Sequence, residues 1–399
     1  MSDNIFQETA LHEPTHHHGL DRPAITPLKK GVTSDTDAAA GQWTLIWHKF
    51  AKDRLAIVAG FVILTLYLIG IFAEFLAPNL AQAARPQYSY APPQTISFFV
   101  EDENGERKFL PHVKGYSVTI DQASLRRSFV VDDSKVVPIG FFVRGPEYKM
   151  WGLFPSDLHL VGPRKANDPF YLLGADKLGR DLFSRVIYGT RVSMSIGLIG
   201  VCISLILGVV MGALSGYYGG WVDLLIQRII EIISAMPTIP LWLGLAAAIP
   251  VSLAPLKVYF LITLIVSLLG WTSLAREVRG RFFALRGDDF VTAARLDGSN
   301  ERRIIFRHIL PSLTSHILAV VTLALPTMIV AETALSFLGV GLKPPVVSWG
   351  VLLQDAQNIR TISTAPWLLI WPAGAVVIAV LSFNFLGDGL RDAADPYDS

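Results

Sequence analysis

The chain has 399 residues, 51% of them hydrophobic and only 17% charged, with a mean hydropathy of +0.44. Soluble proteins carry about 25% charged residues, so this composition belongs in a lipid bilayer. A net charge of +1 points to neither nucleic acid nor acidic substrates, and a single cysteine, Cys202, excludes an internal disulfide.

Residues 1–45, rich in Ser, Thr, Asp and Pro, are expected to form a disordered cytoplasmic N-terminus. His16 to His18 lie there with nothing nearby to complete a metal-ligand set. The first apolar run follows, and 46–76 is read as the first transmembrane helix. Ala81-Gln82-Ala83 after it resembles a signal-peptide cleavage site. A secretory signal, however, has an apolar stretch of about 7–15 residues behind a short basic segment, so the run is read as an uncleaved anchor.

A span needs about 20 predominantly apolar residues. Six segments meet or approach this: 55–76, 192–216, 229–250, 257–275, 315–336 and 367–387. The third is interrupted by Glu231, Pro237, Pro240 and Pro250, which predicts a kinked helix lining an interior. The second carries Gly197, Gly200, Gly208, Gly212 and Gly216, which permit close helix approach to a partner. Cys202, in the same run, is expected to pack between helices. Lys49, Lys52 and Arg54 before the first span, and eight arginines between the fourth and fifth, orient the chain. The N-terminus, the 276–312 loop and the 391–399 tail are expected in the cytoplasm, with 190–390 as a five-helix core.

Residues 77–189 form a long external loop. Strand-like runs at Ile96–Val100, Val118–Ile120, Ser128–Val131 and Val136–Val143, with a hairpin turn at Asn104-Gly105, predict an α+β insertion. Its end, 176–189, alternates charged and apolar residues and is read as an amphipathic helix at the outer interface.

The 276–312 loop holds the most informative segment. Asp288 and Asp289 start a helix through Leu296, Gly298 stops it, and Ser299 caps a second helix to about Ile309, before Pro311. Arg302, Arg303 and Arg307 share that second helix with Ile304, Ile305 and Leu310. A bent, arginine-rich helical knuckle between two spans implies a docking partner. No Gly-Lys dipeptide, His-Glu-x-x-His or Gly-x-Ser-x-Gly occurs anywhere, so catalytic residues and a nucleotide cradle are not predicted. Ionisable groups in or near spans are functional candidates. Arg228 and Glu231 are one turn apart and suited to pair; Glu74 and Glu332 fall near outer ends of spans. Glu332, with Ser336 one turn on and Pro237 in the interrupted span, forms a candidate outer gate. A stand-alone secondary carrier stays open as an alternative, although the internal symmetry it would favour is not visible.

The knuckle resembles the cytoplasmic coupling loop of bacterial ABC importer permeases through Ala293, Ala294, Gly298, Ile309, Leu310 and Pro311; Thr292 stands where that family often has Glu. Gly174–Arg185, Glu332–Gly341, Pro344-Pro345, Ser348–Gly350 and Asn384–Asp392 are similar to the second, C-type, permease of the oligopeptide/dipeptide/nickel class. The resemblance implies an all-α polytopic membrane protein with six transmembrane helices in a type I permease fold. It implies that Arg302 and Arg303 help to fix an ATPase in the coupling loop. It also implies a second permease subunit, two ATPase subunits carrying ATP and Mg, and an external binding protein, with no cofactor on this chain. The cargo would be peptides, with nickel chelates, glutathione or oligosaccharides as alternatives.

Overall fold

The computed structural model describes residues 42–101, 107–120, 127–165, 168–250 and 252–394. The chain divides into two units, Met1–Leu45 and Ile46–Ser399. Of the first, only residues 42–45 are described, so the expectations for the N-terminal segment and His16–His18 lie outside the described residues, as does the Asn104-Gly105 turn.

Helix α1 spans Gln42–Phe50 and α2 spans Arg54–Ile71, with a short α3 at Ala73–Leu76. Asp53 caps α2 by accepting from the Leu55 and Ala56 amides at 2.9 and 3.1 Å. Among the described residues five helices are long and apolar enough to cross a membrane: α2, α4 (Leu182–Tyr218), α7 (Pro255–Leu285), α11 (Thr314–Phe337) and α14 (Trp367–Ala394). Helices α5 (Gly220–Ala235) and α6 (Thr238–Ala247) pass the same test only as a pair. The expected kink is a full break: the two meet at 86°. Pro237 precedes Thr238 without an amide hydrogen to continue α5. The last helix runs on to Ala394, past the expected core boundary at 390.

Helices α4 and α7 share the most extensive helix contact. A Cβ on Gly212 would lie 2.6 Å from the Ala275 carbonyl oxygen, and one on Gly216 would lie 2.5 Å from Phe282 Cβ. These glycines admit another helix of the same chain. Cys202 does not pack as expected; it is exposed on the outer side of α4, because the buried face of the helix is taken by the glycine stripe.

Between α3 and α4 lies a four-stranded antiparallel meander in the order β1 (Ile96–Glu101), β2 (Arg107–Ile120), β3 (Arg127–Met150), β4 (Phe154–Pro163). Val113 pairs with Ile96 on one side and Val137 on the other. β3 pairs with β2 through Pro138 and with β4 from Ile139 on, so two predicted runs merge into one strand. Val113, Val137, Ile139 and Phe170 form its small core. The helical half of the predicted α+β insertion is missing: among the described residues of 77–181 there is one 3-10 turn, Pro86–Tyr88, and no α-helix. Nor is 176–189 an interfacial helix. Residues 176–181 form a turn in which Asp176, Gly179, Arg180 and Asp181 are buried and Lys177 and Leu178 exposed, and 182–189 are the first turns of α4. The reason is electrostatic: Asp176 pairs with both Arg180 and Arg185, and Asp355 faces Arg185 to balance the second positive charge.

Candidate coupling surface and buried membrane sites

The knuckle is built on α7, which ends at Leu285 with Arg286 as its C-cap. Helix α8 covers Asp289–Leu296. It closes with the Gly298 amide donating to the Arg295 carbonyl and the Ser299 amide to the Ala294 carbonyl, a Schellman motif with Gly298 at φ +76°. The Ser299 amide is engaged in closing α8, and the cap of the next helix lies one residue on. Asn300 takes it, accepting from the Arg303 amide at 2.9 Å. Glu301–Arg303 (α9) is followed by a π turn, Ile304–Ile309, then α10 (Leu310–Ser312) and α11. Pro311 does not end the helical path as predicted. Its ring and missing amide are accommodated by the widened turn before it.

Val291, Ala294, Ile304, Ile305 and Ile309 pack against Ala213, Tyr217, Val278 and Phe282 of α4 and α7. Asp223 holds Arg279 through Nε and Nη2 at 2.5 and 2.7 Å, and Ser215 donates to the same carboxylate. The Tyr218 hydroxyl donates to Glu301 at 2.8 Å. The inner face of the block is therefore fixed. Its outer face exposes Phe290, Leu296 and Phe306 together with Ala293, Arg295, Arg302, Arg303 and Arg307, while Leu310 is half-buried and Pro311 exposed. The three apolar residues were overlooked in the sequence. For Phe306 the signal was its place beside Arg302 and Arg303, opposite Ile304, Ile305 and Ile309, across residues 302–309.

Glu332 and Ser336 come together, fully buried in α11. Ser336 and Ser348 donate to Glu332 Oε1 at 2.8 and 2.7 Å, and Ser193 donates to Oε2 at 3.1 Å. The Leu342, Val351 and Trp349 amides donate in turn to Ser336, Ser348 and Ser193. The carboxylate thus pins α4, α11 and α12 (Trp349–Gln354) together and has no exposed surface. Pro237 is apart from it, exposed at the α5–α6 break. Glu74 accepts both terminal nitrogens of Arg191, and Arg228 pairs with Glu231 at 2.9 Å on an exposed face.

A cavity of about 360 Å³ lies between the α6–α7 turn and the 340–346 segment. Lys343 is the one charged residue among its described lining. Among the described residues no three of His, Cys, Asp or Glu converge to ligate a metal.

A bundle of apolar helices with one packed polar-faced block between two of them, its buried polar groups spent on holding helices together, defines a polytopic membrane protein without a catalytic constellation among the described residues. The family described as "Binding-protein-dependent transport system inner membrane component" matches residues 205–397, and the "N-terminal TM domain of oligopeptide transport permease C" matches 41–93. The dipeptide transport system permease protein of Alkalihalophilus pseudofirmus is 39% identical over 223 residues, 56% of this chain and 71% of that protein. The glutathione transport system permease protein of Pectobacterium atrosepticum is 30% identical over 354 residues, 89% of this chain and 91% of the relative. The oligopeptide transport system permease protein of Haemophilus influenzae is 37% identical over 243 residues, 61% and 76% of the two chains. The chain belongs to the binding-protein-dependent transport family, as a C-type permease subunit of ABC importers.

Proposed function

We propose that this chain forms half of a translocation path for peptides. A second, different permease subunit supplies the other half, two ATPase subunits drive it, and an external binding protein delivers cargo. The observation that carries the reading is the outer face of the knuckle, where Phe290, Leu296 and Phe306 lie exposed among arginines on a block whose other face is packed. Exposed apolar residues rimmed by charge are the anatomy of a protein docking surface. ATP and Mg²⁺ belong to the ATPase subunits, since this sequence has no Gly-Lys for a phosphate-binding loop. The arginine-rich knuckle, the N-terminus and the C-terminus face the cytoplasm of a bacterial cell and the β-sheet faces out. Helices α7 and α11 enter and leave the knuckle, so ATPase closure would rotate both between two packings.

Peptide cargo is supported by the relatives named for dipeptide and oligopeptide transport. Glutathione, itself a γ-linked tripeptide, is a second reading, favoured by the relative that matches most of this chain. Affinity purification of the tagged chain is expected to bring down a second permease and an ATPase. Proteoliposomes of that assembly should take up labelled dipeptide only with ATP and binding protein, and glutathione run in parallel separates the two cargoes. Accumulation by vesicles holding this chain alone, without nucleotide, would overturn the reading.

A further inference from the structure

The turn joining β3 to β4 is Met150-Trp151-Gly152-Leu153-Phe154, five residues without a charge. Leu153 and Phe154 are 72% and 60% exposed, a costly arrangement for a tip surrounded by water. The turn is not free in space. The Trp151 indole Nε1 donates to the Ile71 carbonyl at 2.8 Å, a carbonyl that Arg191 Nη2 also reaches at 3.0 Å. The Trp151 ring lies 6.5 Å from Phe72 and 6.4 Å from Phe154, and the Phe142 ring lies 6.2 Å from Phe75. Trp151 and Phe142 both adopt φ +52°, a backbone region that bulky residues rarely enter. Their orientation is therefore imposed by the fold.

Where α2 ends matters most. Its 18 residues rise about 27 Å, close to the roughly 30 Å of a bilayer's hydrocarbon core, so Ile71 stands at the hydrocarbon boundary. Leu55, Val58, Phe61, Leu64, Leu68 and Ile71 are exposed at spacings of three and four, one outward stripe of α2. Its opposite face packs on α4 and α14. That outward stripe runs without interruption through Phe72 into Trp151, Phe154 and Leu153. Indole and phenyl rings at this depth match the aromatic belts of membrane proteins, which bury an apolar body and keep a polar edge paired.

We propose that the β3–β4 turn is a membrane anchor, with Leu153 and Phe154 inserted among the acyl chains beside the end of α2 and Trp151 at the headgroup level. The occupant is lipid, because the apolar surface is continuous with the bilayer-spanning face of α2. The turn then fixes the height and tilt of the whole sheet above the membrane. This inference rests on the membrane family alone and holds for any cargo.

The test uses the importer assembled with its partner subunits in nanodiscs of phosphatidylethanolamine and phosphatidylglycerol. In a Cys202→Ala background, a nitroxide is attached at Leu153→Cys and its collisions with oxygen and with a water-soluble nickel chelate are compared. Phe61→Cys serves as the lipid reference and Asp133→Cys, exposed on the same sheet, as the water reference. The expected result is an oxygen-to-nickel ratio at 153 several-fold above that at 133 and close to that at 61. A ratio like that at 133 would place the turn in water and overturn the proposal. Low accessibility to both reagents would overturn it equally, by showing a protein partner on the turn. Phe154→Cys carries the same comparison if Leu153→Cys does not assemble.

Discussion

At Gly298 a Cβ would meet nothing within 4 Å, yet φ is +76°. The glycine is there for its backbone alone, and an L-residue in this left-handed region costs about 1–2 kcal/mol. Gly298→Val should leave the protein in the membrane, because the packing of Ile304, Ile305 and Ile309 is untouched. ATP-driven peptide uptake is expected to fall severely, since α8 and the following turn can no longer meet at the same angle. Gly298→Asn, which enters the left-handed region more readily, should keep most of the uptake. Uptake measured beside membrane abundance checks this, and wild-type transport by Gly298→Val would remove the docking role. The stop at Gly298 was readable because few residues serve that geometry. The shift of the cap from Ser299 to Asn300 was not, because either side chain can cap and only the closing bond of α8 decides between them.

Elements were readable to the extent that one physical length governs them. Bilayer thickness marks five spans plainly, and prolines marked the sixth as irregular, but the 86° angle depends on what α5 and α6 pack against. The strands showed as β-branched and aromatic runs. Their joining into a 24-residue β3 depends on pairing with two neighbours at once. One element-scale consequence is a pH dependence in the sheet. Where β3 leaves register with β2, Asp132 accepts from Ser134 Oγ at 2.5 Å and Ser117 Oγ at 2.7 Å, and pairs with Lys135 at 3.0 Å. These hydrogen bonds, those from Ser134 and Ser117 foremost, hold its carboxyl well below the usual carboxylate range. A depressed folded-state pKa means the stabilisation is present above the unfolded value of about 3.9 and is lost as pH falls below it. Asp132→Asn should therefore speed amide exchange across residues 128–137 near neutral pH, after correction for intrinsic rates. The difference from wild type should begin to narrow as pH drops below about 4 and close only in stronger acid, once the folded-state carboxyl is itself protonated. A gap that persists in acid would assign the effect to shape instead of charge.

Across the whole molecule, one buried cluster ties the sheet and its base to the helical core. Asp176 has no exposed surface. It accepts from the Leu178 and Arg180 amides at 2.9 Å each, from Arg180 Nε at 2.6 Å, and from Arg185 Nη1. Arg185 also faces Asp355 at 3.7 Å, and Lys177 reaches Asp355 at 2.7 Å. The Asp176 carbonyl accepts from the Tyr90 amide, and the Ala175 carbonyl from Trp367 Nε1. One turn thus joins the base of the insertion, the start of α4, the segment after α12 and the start of α14. The cluster escaped sequence reading because alternating charges look alike on a solvated helix and in a buried network, and Asp355 lies far along the chain. Breaking a buried pair leaves an uncompensated charge, at about 3–5 kcal/mol, whereas an apolar replacement of both partners is often near neutral. Asp176→Asn is therefore expected to lower the melting temperature of the purified assembly strongly, and Asp176→Asn with Arg185→Met to recover part of the loss, since Arg180 stays buried without its carboxylate. Arg228→Gln, which removes an ion pair with both partners exposed, should change stability by about 1 kcal/mol or less. If Asp176→Asn melts no lower than Arg228→Gln, the cluster is not what ties the sheet to the helical core.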